Sequence, residues 1–446
     1  MHSCPETQSD WPETWYSQVP SRPRSLPIIG NILKLGDKPH QSLTNLSKTY
    51  GPVMSLKLGS VSTVVISSSE TAKEVLHRND QACSGRTVRD ARLEASQSLR
   101  RKVVQELLDH VEECCGRGCA VNIGGAAFTA SLNLLSNTIF SINLAHHDSN
   151  FSQEFKNISW GVMEGIGRPN FVDYFPAFRL IDPQGIRWNM NIYFDKLFDI
   201  FDGIINQRLQ SKASSARDDV LDALLNLTKE NDNEWSCSDI KHLLLDLFVA
   251  GTDTPSTTVE WAMAELLCNP EKMVKAQREI REVLGNDGIV QESDISKLTY
   301  LQSIVKETFR LHPPGPLLIP HRAEIDVEIC GFTIPKNSQI LVNAWAIGRD
   351  PSTWSNPNAF MPERFLECDI GVKGRDFELI PFGAGRRICP ALPLAHRMVH
   401  LMLASLLYSH AWKLEDGMKP ENIDMSEKFG LTLQKAQPLR AIPMKV

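Results

Sequence analysis

One cysteine in this sequence sits in a loop suited to holding a thiolate. Residues 381–391 read PFGAGRRICPA, with Gly383 and Gly385 ahead of Cys389 and two arginines, Arg386 and Arg387, just before it. Glycine opens backbone conformations that other residues resist. The loop can therefore wrap the cysteine, aim amide N–H groups at its sulfur and keep it ionised, and the helix expected past Pro390 adds the positive end of its dipole. Taken alone, a Gly-rich cysteine loop is more often structural. KETFR puts Glu307 and Arg310 three apart, on one face of a predicted helix and in pairing range; the plain alternative is a solvated surface pair, which contributes little. PERF supplies Arg364, a third member for a Glu–Arg–Arg cluster. AGTDTP, residues 250–255, lies inside a long predicted helix where Gly251, Thr252 and Thr254 are poor helix formers. Pro255 leaves the Gly251 carbonyl without its helical donor. A kink with a local groove is expected there, offering the Thr254 hydroxyl and the Asp253 carboxyl, or else a tolerated kink in a core helix. Cys114, Cys115 and Cys119 share another predicted helix, but CC-x-x-x-C lacks a fourth zinc ligand at the usual spacing.

The elements that position these residues change character along the chain. Residues 1–30 are rich in Pro, Ser and Arg and read as an irregular arm, since Pro20, Pro23 and Pro27 deny it a helix. Residues 31–446 read as one large domain. PVMSLKLGSVSTVVIS, 52–67, carries two β-rich runs about Leu58-Gly59-Ser60, a hairpin signal, and a helix is expected at 69–79. From 92 to 312 helical spacing dominates: 92–115, 124–143, 151–166, 190–212, 218–230, 239–268 (ended by Asn269-Pro270), 271–284 and 299–312. Short strands follow within 325–342, an irregular Pro- and Gly-rich stretch over 351–390, a helix over 392–408, and strands near 410–415 and 431–443. The fold class is thus mainly α with a smaller β part drawn from both ends of the chain, which argues against the three consecutive domains that 446 residues suggest.

Composition excludes several classes. Forty-two per cent hydrophobic and 22% charged is ordinary for a globular protein, and 47 basic against 53 acidic residues provide no excess for nucleic acid. Ten cysteines scattered over 446 residues make no disulfide framework and read as reduced thiols. The first residues are polar, without the apolar core of a signal peptide, and no uncharged apolar run reaches the ~18 residues of a membrane span.

Read in order, AGTDT, Glu-x-x-Arg, PERF and FGAGRRIC resemble the cytochrome P-450 family of haem-thiolate monooxygenases, and the resemblance runs from Pro20 to the C-terminus. VEWAMAELL, DPQGIRW and EKFGLTLQKAQPL are similar to the plant branch that includes geraniol hydroxylase and the diterpenoid-oxidising ferruginol synthase. The resemblance implies a P-450 fold around haem b, with Cys389 as axial thiolate to the iron, a ligand that pushes electron density onto the metal and favours O–O cleavage. It implies Arg387 and His321 (in LLIPHRA) as propionate partners, Phe382 as a shield for the sulfur, and Gly383 in the cofactor loop. Thr254 with Asp253 becomes the proton-delivery pair, and Glu307, Arg310 and Arg364 a buried scaffold for the loop. The implied pocket is apolar, walled by Phe248, Val249, Ala250, Leu317, Leu318 and Leu431, and suits a terpenoid-like molecule. O2, an NADPH–cytochrome reductase and the cytosolic surface of the endoplasmic reticulum membrane are the implied partners.

Four departures stand out. Ala391 replaces the family's usual Gly, and Pro255 its Thr or Ser. The membrane anchor that precedes the proline-rich hinge in plant relatives is expected to be lacking. CSGRTVRDA (83–91) runs directly into RLEASQSLRRKV (92–103), where relatives carry a few dozen more residues, among them a helix with Trp-x-x-x-Arg that meets the propionates. Arg387 and His321 are then the propionate partners expected to remain, and the catalytically impaired form of the enzyme is the alternative implied.

Overall fold

The structure is a computed structural model, and it describes residues 20–26, 29–59, 61–78, 97–147, 149–175, 181–210, 219–230, 236–285 and 288–446. The junction at 90–92 and most of the arm lie outside the described residues. From Pro20 onward the arm is irregular, as its prolines require, and is bonded to the body: Ser55 Oγ donates to Pro20 O (2.9 Å), Ser55 N to Ser21 O (3.0 Å) and Asn31 N to Lys57 O (2.6 Å). Gly30 sits at φ +64°, where a Cβ would stand 2.0 Å from Lys57 O, so this close crossing requires glycine.

Chain order then runs through α1 (Pro39–Tyr50), the hairpin β1 (Val53–Leu58) and β2 (Val61–Ile66), and α2 (Ser69–Lys73), capped by Ser68 and prolonged by a π-turn. The hairpin is antiparallel, with Val53 facing Ile66 and Leu58 facing Val61, as its alternation around Gly59 predicts. The helical body follows as α3 (Gln97–Arg117), α4 (Ile123–Phe140), α5 (Asn150–Gly167), α6 (Phe171–Tyr174), α7 (Ile186–Gln210), α8 (Val220–Glu230), α9 (Cys237–Cys268), α10 (Pro270–Leu284) and α11 (Thr299–Leu311). Side chains start these helices where the sequence offers caps. Asn122 accepts from Gly125 N at α4, Ser149 from Ser152 N at α5, and Ser236 with Asp239 forms a capping box at α9. Asn269-Pro270 ends α9 and opens α10, because proline fits a first helical turn but not an interior. Pro255 is the exception. The helix runs on through it, and neighbouring hydroxyls bond carbonyls of that turn: Thr252 to Phe248 O (2.7 Å), Ser256 to Thr252 O and Asp253 O (2.9 Å each).

Past α11 come β4 (His321–Arg322), β5 (Val327–Ile329), β6 (Phe332–Ile334), β7 (Gln339–Val342), the short α12 (Ala344–Ile347), α13 (Leu392–Ser409), β8 (His410–Leu414), β9 (Glu427–Phe429), β10 (Leu433–Lys435) and β11 (Arg440–Lys445), with β3 (Val121–Asn122) earlier, ahead of α4. The main sheet has the order β1-β2-β7-β4, with β2 and β7 parallel (Thr63 opposite Gln339, Ile66 opposite Val342) and β4 antiparallel to β7. A second sheet, β3-β11-β8, closes the C-terminus onto the entry to α4; β5–β6 and β9–β10 are separate antiparallel pairs. The architecture is mainly α with a smaller β part, as expected.

Two apolar cores flank α9. One lies among α3, α4, α10, α11 and α13; the other holds Phe128, Phe140, Phe155 and Phe201 between α4, α5, α7 and the first half of α9. Among the described residues, no helix is long and apolar enough to cross a membrane.

Candidate active site

Cys389 is half-buried between a 3₁₀ turn, Gly385–Arg387, and the start of α13. Gly383 and Gly385 take left-handed conformations (φ +71° and +64°) and fold the loop back so that Cys389 N donates to Phe382 O (2.9 Å). Burial pushes the thiol pKa up, with the backbone N–H groups of Ala391 and Leu392 at the start of α13 acting against it. Below the loop, Phe382 meets Phe309 of α11 edge-on, ring centroids 5.3 Å apart. Leu318 (φ +50°) adjoins it, with Cδ1 3.9 Å from where a Cβ on Gly383 would stand. His321 on β4 is half-buried; burial first, then the charge of Arg387, lowers its pKa, which puts the guanidinium within electrostatic reach of the imidazole. The structure thus brings Cys389, Arg387, His321, Phe382, Gly383 and Leu318 together.

The Glu–Arg–Arg cluster forms and is buried. Arg310 Nε and Nη2 donate to Glu307 (2.7 and 2.8 Å), Arg364 Nε donates to it (3.1 Å), and Met361 N donates as well (2.7 Å). The other Arg310 donors reach the carbonyls of Gly348, Pro357 and Ala359, and both guanidiniums lie over Trp354. Helix α11 is thereby pinned to the irregular stretch that leads to the cysteine loop.

On α9 the structure separates residues that the sequence groups. Thr254 is half-buried, its Oγ1 donating to Ala250 O (2.9 Å). Asp253 points elsewhere: it is buried and accepts from Thr432 Oγ1 (2.5 Å) and Gln434 Nε2, both of the β9–β10 hairpin and both overlooked by the sequence reasoning. Burial pushes the Asp253 carboxyl up to about 6 against the pull of those bonds. The cause is geometric, since successive residues stand about 100° apart around a helix. The same rotation sends the expected wall residues of α9 to different sides. Phe248 is fully buried, stacked on Phe140 (5.4 Å) and against Phe155 and Phe201, and Val249 joins that core. The open stripe of α9 is Leu247, 39% exposed, with Ala250 and Thr254, at i, i+3 and i+7; helical spacing counted back from Thr254 finds Leu247. Leu317 packs beneath β1, and Leu431, at the hairpin tip, donates its N–H to Met163 O (2.8 Å) while packing beside α5 and α7.

One Trp-x-x-x-Arg spacing, also overlooked, does occur, at Trp345 and Arg349. It lies at α12, where the guanidinium stacks over its own tryptophan (3.8 Å) and faces Glu427 (3.9 Å).

A sequence model described as Cytochrome P450 matches residues 20–97 and 87–440. The chain belongs to the cytochrome P450 family. It is 53% identical to cytochrome P450 76T24 of Catharanthus roseus (96% of this chain, 94% of the other), 50% identical to geraniol 8-hydroxylase of Swertia mussotii (95% and 93%) and 49% identical to drimenol monooxygenase of Persicaria hydropiper (96% and 93%). These relatives put this P450 in the plant branch, as an oxidoreductase that incorporates one atom of O2. The family match falls into two pieces that meet over 87–97. An alignment of 468 columns that takes in 96% of 446 residues leaves about 40 columns empty in this chain.

The donor set fits the family's haem. Cys389 offers a half-buried sulfur in a loop folded by two glycines, Arg387 and His321 offer donors for carboxylates, and α9, which packs against α13, leaves Leu247, Ala250 and Thr254 open while Phe248 and Val249 are buried.

Proposed function

We propose that this P450 hydroxylates a hydrophobic, terpenoid-like small molecule, using O2 and electrons from an NADPH–cytochrome reductase at the cytosolic face of the endoplasmic reticulum membrane. The observation that carries this reading is a half-buried Cys389, held by its glycine loop at the start of α13, together with an open stripe of Leu247, Ala250 and Thr254 on α9, the helix that packs against α13. Relatives at 49–50% identity that are named for oxidising geraniol and drimenol support the substrate class. Cys389 is the iron ligand, Arg387 and His321 hold the propionates of haem b, and Phe382 and Gly383 close the sulfur side. When bound, the haem supplies the activation of O2, and its thiolate ligand favours O–O cleavage. The chain's own residues do the rest. Leu247, Ala250, Leu318 and Leu431 exclude water and seat the apolar substrate; the Thr254 hydroxyl delivers a proton once it turns from Ala250 O to the open side, and Asp253, behind α9, takes up and returns the proton that replaces it.

The two-piece family match favours a second reading, in which the propionate-binding helix is absent and haem is held weakly. One experiment separates the two: expression with haem supply, reduction and addition of carbon monoxide, followed by turnover of geraniol with reductase. A thiolate-type Soret band with an oxidised product supports the first reading, and Cys389→Ala must abolish both. Loss of haem on gel filtration, or only the inactive-form band, establishes the second.

A further inference from the structure

The three thiols of α3 part company in the structure. Cys114 is buried with Sγ 4.0 Å from His110 Nε2, and Cys119 Sγ donates to Cys114 O (3.6 Å). Cys115 is half-buried and has other neighbours. Glu112 precedes it by three residues, so the two share a helix face, and across from them stands His410, the first residue of β8. The Cys115 sulfur, one Glu112 oxygen and one His410 nitrogen all lie within 4.8 Å of one another. His410 is buried and its ring is fixed in place: Nε2 lies 2.9 Å from Glu112 Oε2, and its carbonyl accepts from Gln277. Lys445 Nζ holds the other carboxylate oxygen, Oε1 (3.5 Å), and so keeps Oε2 turned toward His410.

One sulfur, one imidazole nitrogen and one carboxylate oxygen make a borderline-soft donor set. It suits Zn²⁺ and is wrong for Mg²⁺ or Ca²⁺, which take oxygen. Tetrahedral zinc at its usual bond lengths sets ligand atoms about 3.4–3.8 Å apart, so a gap as wide as 4.8 Å closes by about 1–1.4 Å while the 2.9 Å His410–Glu112 contact opens by about 0.5 Å. A groove of about 330 Å³, lined among others by Asp109, Glu112, Tyr408 and His410, opens beside them and provides an entry path and room for a water. We propose that Glu112, Cys115 and His410 form a zinc site with a water in the fourth position, tying α3 to the start of β8.

The test uses the full chain as purified. It is dialysed against Zn²⁺, and retained metal is counted per chain while alkylation of each cysteine by iodoacetamide is followed by peptide mass spectrometry. One chelatable zinc per chain is expected. Zinc should shield Cys115 and leave the exposed Cys237 reactive. Cys115→Ser and Glu112→Gln, at half-buried and exposed positions, should each weaken binding by at least about 10-fold. The proposal is overturned if no zinc is retained, if both variants retain it like the parent chain, or if zinc leaves Cys115 alkylation unchanged.

Discussion

Glu307→Gln is the substitution whose cost the structure fixes best. Glu307 has no exposed surface and accepts four N–H bonds, three of them from guanidiniums. The amide is nearly isosteric, so packing is kept while the charge is removed. If its NH2 takes the place of Oε2 it meets Arg310 Nε donor to donor, where the present separation is 2.7 Å. Arg310, buried, and Arg364, nearly so, then lose the carboxylate they share. Breaking a buried pair this way costs about 3–5 kcal/mol. At about 2.1 cal/mol/K per residue, unfolding 446 residues carries an entropy near 0.9 kcal/mol/K, so Tm should fall by about 3–5 °C. Calorimetry at one fixed scan rate reads this directly. Arg364→Gln should cost less, because Arg310 keeps Glu307 satisfied, and the double variant should lose less than the sum. A drop below about 1 °C for Glu307→Gln would refute the assignment of this cluster as a buried charge clamp.

Three further outcomes follow from the geometry. Burial raises the Asp253 carboxyl from 3.8 to about 6, so its contribution is complete below pH 3.8 and is lost as pH rises through 6; Asp253→Asn should remove a decline of roughly 3 kcal/mol across that window in a pH series of denaturation midpoints. Glu427 behaves oppositely. Burial would raise it, but the hydrogen bond and charge of His40, with Arg349, bring it down to about 2. Its contribution is present above pH 4.5 and lost as pH falls toward 2, and Glu427→Gln should flatten that acid limb, an effect absent if the network does not form. Gly167→Ala would set a Cβ 2.1 Å from Gly430 C and Leu431 N; the hairpin tip must move, so Tm should fall and the ratio of oxidation products should change, and unchanged values of both would dismiss the contact.

Much of this was legible in the sequence because it is local. The cysteine loop is a run of eleven residues, Glu307 and Arg310 are one helical turn apart, and caps such as Ser236 precede their own helices. Helix α1 escaped notice because only Pro39, His40 and Leu43 of its twelve residues are buried, too few for an apolar stripe. The clamp on Asp253 escaped for a different reason: Thr432 and Gln434 lie 179 and 181 residues away, and no periodicity links them to α9. Phe248 and Leu247 show a third limit. Both are apolar, and composition cannot tell which faces the core and which the open side; only their rotation relative to Thr254 does.

The parallel pairing of β2 with β7 has a consequence in time. Its hydrogen-bonded partners Thr63 and Gln339 are 276 residues apart. At a synthesis rate of 5–20 residues per second, β2 waits about 15–55 s for its partner to leave the ribosome. Throughout that interval the hairpin shows the edge of Val61–Ile66, a run made largely of valine, isoleucine and threonine with no proline or charge to guard it. The helical body can fold meanwhile from closer contacts, so the sheet is completed late, and the yield of this protein in a cell depends on what shields one six-residue strand until then.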